Sequence, residues 1–407
     1  MTITTTRRGR VRRAARLATT AAISVSLVGV VAPGAEAAAP LRPTTAQPSV
    51  SSSSAPAASA KKDPLAGWTL RQKVGQLFMV GVPVGSGRAA SYRAVTKKHV
   101  GNIFLAGRTS AGVGPVRNLV AAFTGTVSAK TTHGTPMLVA TDQEGGLVQV
   151  LRGKGFSSIP TATAQSRWST KKLRKRATRW GGQLADAGVN LNLAPVTDVV
   201  TSRATARTNA PIGAFKRNFG YGPTSTWTHA DAFSAGMRAA DVDVAIKHFP
   251  GLGRVAGNTD TTAHVVDAVT TARPSDPQIT AFQHGIDAGA PFVMVSSAVY
   301  AKIDAKRPAA FSRKIVTTVL RKKMGFDGVV ISDDLSAAKA VTGWKPGTRA
   351  VKFLKAGGDV VLVSADPTVT AEMVDAVVAR ARKSPAFAKQ VDAAARRVLA
   401  AKADLPR

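Results

Sequence analysis

Cysteine is absent from the 407-residue chain, which excludes disulfides, thiolate metal sites and lipid attachment at an N-terminal cysteine. Acidic residues are scarce: 23 Asp and Glu stand against 56 Lys and Arg, a formal net charge of +33. Aromatic residues make up 5% of the chain and are not interleaved with basic runs, while Lys and Arg are spread along its whole length. That pattern lacks the marks of a nucleic-acid-binding module, and no nucleic-acid partner is expected. The six His show no HxxxH or His-carboxylate spacing, so neither a metal site nor a cofactor is expected. No phosphate-binding GxGxxG follows the first strand-like segment, where Gly81 leads into VPVGSGRAA. With 44% hydrophobic residues, the chain has enough apolar material for a folded body.

The N-terminal 62 residues differ from the rest. Residues 1–37 hold six Arg, an apolar stretch from Leu17 to Val31, and a small-residue end at Ala35-Glu36-Ala37, the layout of a secretory signal peptide. The apolar stretch is too short and too rich in Ala, Thr and Ser for a good membrane span, so no stable span is expected after cleavage near Ala37. An uncleaved anchor is the competing reading. Arg7-Arg8 and Arg12-Arg13 leave both general and twin-Arg export open. Residues 38–62 form a Pro/Ser/Thr/Ala tract with almost no large apolar side chain, expected to be a disordered linker. Residues 63–407 are expected to form a single domain that keeps about +25 of the charge. Export and charge together predict a secreted or envelope-associated protein drawn electrostatically to an anionic cell envelope.

Within this body, eight short runs rich in β-branched residues alternate with longer segments whose apolar residues recur three and four apart. The runs are Val74–Val82, Gly101–Gly107, Pro136–Asp142, Val189–Val196, Val242–Pro250, Pro291–Val299, Asp327–Asp334 and Gly358–Ser364. Parallel strands buried on both faces read this way, and eight β/α units predict an α/β fold, a single (β/α)8 TIM-type barrel. Functional groups of such a barrel gather where strands end. There the sequence has Asp142-Gln143-Glu144, Asp198, Lys247-His248 and Ser332-Asp333-Asp334. One such Asp is ordinarily an N-cap, but charge at four strand ends is costly to bury and points to a pocket for a polyol or an anion.

Six strings occur in one order: TLRQKVGQLFMVG, ATDQEGGLVQ, GVNLNLAPVTDV, NAPIGAFKRNFG, AIKHFPGLGRV and GVVISDDLSAA. In them the chain resembles glycoside hydrolase family 3, and within it the single-domain β-N-acetylglucosaminidase branch. The resemblance extends from Asp63 to the C-terminus. It implies a retaining exo-β-N-acetylglucosaminidase acting on cell-wall fragments or chito-oligosaccharides, with Asp333 as nucleophile. It also implies sugar contacts from Asp142, Arg217, Lys247 and His248. Asp334, whose side chain should face away from Asp333 on an extended strand, is expected to cap a helix at Leu335 to Ala340.

The segment after the eighth run is too short for the second domain that supplies the acid in larger members, so the proton donor is expected from the barrel itself. Single-domain relatives use an Asp-Ser-His dyad on the loop after KHFPGHG. Here the loop reads KHFPGLGRVAGNTDTTAHVVD; Asp260 matches the dyad Asp, His264 lies four residues on instead of two, and Leu252 replaces a His. Asp260 and His264 are the expected acid/base pair, with Asp260 next in line if His264 fails. Gly251, Gly253 and Gly257 would let the loop close over substrate. Relatives carry Arg after DQEGG, where this chain has Leu147 and Val150. Either Arg152 replaces that contact from a shifted register or one sugar contact is missing. A β-glucosidase or a phosphorylase of the same family, or a noncatalytic wall- or glycan-binding barrel, therefore remain open alternatives.

Overall fold

The structure is a computed structural model that describes residues 63–403 and 405. The expected signal peptide and linker lie outside the described residues. Eight strands carry the fold, each overlapping one of the expected runs: β1 Phe78–Pro83, β2 Asn102–Ala106, β3 Leu138–Thr141, β4 Leu191–Asn192, β5 Asp243–Phe249, β6 Phe292–Val295, β7 Val329–Ser332 and β8 Val361–Val363. They pair in parallel in chain order, and β8 returns to β1 through Phe78↔Val361, Met79↔Leu362 and Val80↔Val363. The remaining seam, between β7 and β8, holds the parallel bridge Ile331↔Val360, with Ser332 N donating to Val360 O at 3.0 Å. The ring is a (β/α)8 barrel.

Burial on both faces accounts for the continuous apolar runs: β3, β6, β7 and β8 are buried at every position. The outer helices are α1 Ala89–Lys98, α2 Val113–Thr124, α3 Thr170–Asp186, α4 Pro223–Arg238, α5 Pro277–Asp287, α6 Lys314–Lys323 (a π-helix), α7 Pro346–Ala356 and α8 Thr370–Arg382. A ninth, α9 Pro385–Ala401, packs on α8. In α3 the Ser169 hydroxyl caps the start, and Leu173, Ala177, Trp180 and Leu184 form the buried stripe at helical spacing. No described helix is long and apolar enough to cross a membrane.

The first expected strand is corrected at its start. Leu70–Gln76 is a helix, and the strand begins only at Phe78. Gln72 N donates to Thr69 Oγ1 at 3.2 Å while Thr69 N donates to Gln72 Oε1 at 3.0 Å, a reciprocal capping box that favours helix over strand. At the β7–β8 seam, Asp359 is fully buried; it accepts from Val330 N (2.8 Å) and pairs with Arg321 of α6 and Arg397 of α9. Removing one partner of such a buried set typically costs about 3–5 kcal/mol, so the closing helix is tied electrostatically to the barrel.

Candidate active site

The strand ends converge on a cavity of about 250 Å³ whose wall includes Asp142, Arg217, Lys247, His248, Asp260 and Asp333. Asp142 follows β3 directly. The turn after it is built from amide side chains: Gln143 Nε2 donates to Leu151 O (2.8 Å), Leu151 N donates to Gln143 Oε1 (3.0 Å), and Gln165 Nε2 donates to Glu144 O (3.0 Å). Gly145 adopts φ +113°, and a Cβ there would lie 2.3 Å from Pro160 O, so only glycine fits the turn. Together these contacts aim Glu144 inward.

Glu144 is the residue the sequence reading left without a role. It is 5% exposed and joins two cations: Lys247 Nζ lies 2.6 Å from Glu144 Oε1, and Arg217 grips both oxygens through Nη2 (2.8 Å) and Nε (2.9 Å). Lys247 Nζ also donates to Asp142 Oδ1 at 2.6 Å. Burial alone would raise the Glu144 carboxyl, but Arg217 and Lys247 outweigh it and hold it at about 2. Lys247 and Arg217 are in turn held above their ordinary values despite burial, by Asp142 and Glu144 for the lysine and chiefly by Glu144 for the arginine. Glu144, Lys247 and Arg217 thus hold one another in their charged forms.

Lys247 and His248 are consecutive on β5, and both reach the cavity because the pairing of β5 with β6 shifts register between Lys247 and Phe249. Asp198, fully buried past the end of β4, accepts from His248 N (3.0 Å) and Leu252 N (2.6 Å) through Oδ1 and faces His248 Nδ1 at 2.7 Å through Oδ2. A carboxylate on Nδ1 fixes the ring and turns Nε2, 3.5 Å from Arg217 Nη2, toward the cavity. The sequence reading had marked Asp198 only as polar; its partner, fifty positions away, was not visible there.

Asp333 extends β7, with its amide donating to Val295 O at 3.0 Å. Burial raises its carboxyl, against the charges of His248 and Lys247 and the Asp334 amide, which donates to Asp333 Oδ1 at 2.9 Å. The expectation for Asp334 is corrected: residues 335–340 form turns and bends with no helix to cap, and Asp334 stands with Asp333 on the cavity wall. Its carboxylate accepts from the amides of Ser336 (3.2 Å), Ala337 (2.8 Å), Ala338 (3.2 Å) and Ser364 (2.9 Å), and so clamps the β7 turn to the end of β8.

The loop after β5 separates the two acid/base candidates. Asp260 is on the cavity wall at its open rim, and its carboxyl is pushed up to about 6, first by loss of water around it and then by the charge of Asp333. His264 is exposed, in a left-handed conformation (φ 54°), and absent from the cavity wall. His264 lies two positions further from Asp260 than the expected spacing. Arg152 is not on the cavity wall either. Its guanidinium donates to Gly146 O at 2.7 Å, because the turn after Asp142 directs it back onto its own loop. The cationic contribution on that side comes from Arg217.

The glycines expected to let this loop close also have a different use. Cβ atoms at Gly251 and Gly253 would lie 2.1 Å from Gln278 Oε1 and 2.0 Å from Val199 O. Gln278 itself bridges Val199, accepting from its N at 2.8 Å and donating to its O at 2.9 Å. The root of the loop is thus packed on α5, and its tip is tied to the β7–α7 segment by Lys339 N→Asp260 O (3.1 Å) and Ala340 N→Thr259 O (3.0 Å).

A barrel whose mouth holds two carboxyl groups on one cavity wall with a ring of charged hydrogen-bonding groups has the makings of a carbohydrate-processing enzyme. The profile of the glycosyl hydrolase family 3 N-terminal domain matches residues 69–401, and the chain belongs to that family of glycoside hydrolases. It is 34% identical over 263 residues to a beta-hexosaminidase of Xanthomonas campestris pv. campestris, covering 62% of this chain and 75% of that one. Among solved structures, a beta-N-acetylhexosaminidase from Beutenbergia cavernae superposes with a TM-score of 0.81 at 58% identity, over 82% of this chain and 98% of that one. A family 3 beta-N-acetylglucosaminidase from Paenibacillus sp. gives 0.74 at 27% identity, over 82% and 62% respectively.

Proposed function

We propose that the protein is a secreted or envelope-associated, retaining exo-β-N-acetylglucosaminidase that removes terminal β-linked GlcNAc from cell-wall fragments or chito-oligosaccharides. The observation that carries this reading is the pair of carboxyls on one cavity wall: Asp333 on a rigid strand end, and Asp260 raised to about 6 beside it. A carboxylate on a buried strand suits nucleophilic attack, because misplacement of a reacting group is expensive in rate. Asp333 attacks the anomeric carbon, and the bond to the leaving-group oxygen breaks as Asp260 gives that oxygen a proton. Asp260, now ionised, takes a proton from water, which attacks the same carbon and frees Asp333 with net retention. A carboxyl at about 6 can serve both halves of this cycle near neutral pH.

Asp142, Arg217 and His248 supply the sugar contacts, and Glu144 and Lys247 orient Arg217 and Asp142. Charged hydrogen bonds to ring hydroxyls tighten as the ring distorts toward the transition state. The hydrolase names of the relatives favour an N-acetylated sugar. The positive charge on the body would concentrate the enzyme at an anionic envelope. Trapping with a 2-fluoro glycosyl fluoride tests the central step. The covalent label is expected on Asp333, and an aryl β-N-acetylglucosaminide is expected to be turned over faster than the aryl β-glucoside. A label elsewhere, or turnover that survives Asp333→Asn, would overturn the assignment.

A further inference from the structure

Behind one wall of the catalytic cavity lies a second, larger groove of about 770 Å³. The segment from Pro211 to Arg217 separates the two: Pro211 and Arg217 face the cavity, while Gly213, Ala214 and Lys216 face the groove. Four cations line the groove, Arg167, Arg203, Arg207 and Lys216, and no Asp or Glu does. All four are exposed, and among the described residues none forms a salt bridge. Arg203 and Arg207 stand four apart on the helix Arg203–Thr208, a spacing that sets like charges side by side at a cost to the isolated helix. Tyr221, 37% exposed, adds an aromatic face of the kind a sugar ring packs on.

We propose that this groove is an accessory binding site for a glycan strand that carries carboxylates. The guanidinium fork matches a carboxylate bidentately, and a cluster of unpaired cations beside an aromatic surface suits an acidic sugar polymer better than a neutral one. Because the wall is shared, a strand seated in the groove lies next to the cavity, and its end can be processed while the rest is held. The link to catalysis rests on the hydrolase reading above; the binding itself does not.

The test uses the full chain and three probes: soluble wall-derived glycan strands with peptide carboxylates, neutral chitohexaose, and teichoic acid. A groove variant, Arg203→Gln/Arg207→Gln/Lys216→Asn, is compared with Lys171→Gln/Lys172→Gln/Lys175→Gln on α3, which removes the same charge elsewhere. Asn at position 216 suits its φ of 56°. At low salt the groove variant is expected to weaken binding of the carboxylated strands about tenfold, and the α3 variant less than about twofold. Turnover of an aryl β-N-acetylglucosaminide should be unchanged in both, which also shows that they fold. Equal weakening in the two variants, no weakening in the groove variant, or groove-dependent capture of teichoic acid in preference to the carboxylated strands would overturn the proposal. If the parent chain does not turn over the aryl substrate yet the groove-dependent binding persists, the proposed hydrolytic function fails and the accessory site stands.

Discussion

At the residue scale, the carboxyl proposed as the acid is defined by what surrounds it. Loss of surrounding water, and then the charge of Asp333, push the Asp260 carboxyl up to about 6 against the opposing charges of His248 and Arg217. As pH rises through that value the proton needed by the leaving group is lost, so kcat/KM for a natural disaccharide should decline above about pH 6, and Asp260→Asn should remove that limb. The same variant should cost about 10²–10⁴-fold on the disaccharide and far less on an activated aryl glycoside, whose leaving group needs little protonation. A disaccharide profile identical in the two proteins would rule Asp260 out. A raised folded-state value also means that the contribution of Asp260 to stability is present below its unfolded value and is lost as pH rises through about 6.

Glu144 runs the other way. Its carboxyl is lowered from 4.5 to about 2, so its stabilisation is present above about 4.5 and is lost as pH falls toward about 2. Glu144→Gln leaves Arg217 without its bidentate partner and Lys247 with Asp142 alone. That should destabilise the fold by about 3–5 kcal/mol in urea titrations, flatten the acid side of the stability profile, and raise KM, since the sugar-binding ring loses its anchor. A variant with unchanged unfolding midpoint and KM would show that the network is incidental.

At the scale of elements, the loop that carries Asp260 is held at both ends. In Gly253→Ala the new methyl meets the backbone carbonyl of Val199, which cannot swing away as a side-chain tip would. The expected cost is about 1–3 kcal/mol of stability together with a loss of turnover, as the root moves and carries Asp260 with it. Thermal unfolding and kcat measured side by side would check this; an active variant with lower stability would separate the root from the catalytic position. The strands and their order were legible in the sequence because double-sided burial writes an unbroken β-branched run. The residues at their ends were legible because Asp333, Lys247, His248 and Asp142 sit in short motifs with fixed spacing. Glu144 escaped because its role exists only through Arg217 and Lys247, which are distant in the chain. The placement of His264 was not legible for a related reason: loop position relative to Asp260 is set by the packing on Gln278 and the amides of Lys339 and Ala340, and no spacing within the loop records those contacts.

At the scale of the whole molecule, the excess of Lys and Arg leaves a field that no single contact accounts for. The catalytic ring is internally neutralised, with Asp142 and Glu144 set against Lys247 and Arg217, so the net charge resides outside it. Two functions should therefore separate on addition of salt. Between about 10 mM and 150 mM ionic strength the screening length falls from about 30 Å to about 8 Å, which removes long-range attraction to an anionic surface but barely touches pairs 2.6–2.9 Å apart in a buried site. Sedimentation with isolated cell walls should show the bound fraction dropping steeply over that range, while kcat on a neutral aryl substrate changes by less than about twofold. Binding that ignores salt would mean that charge does not drive the proposed association with the wall; turnover that falls in parallel would mean that the ring of charges is more open to solvent than its burial implies.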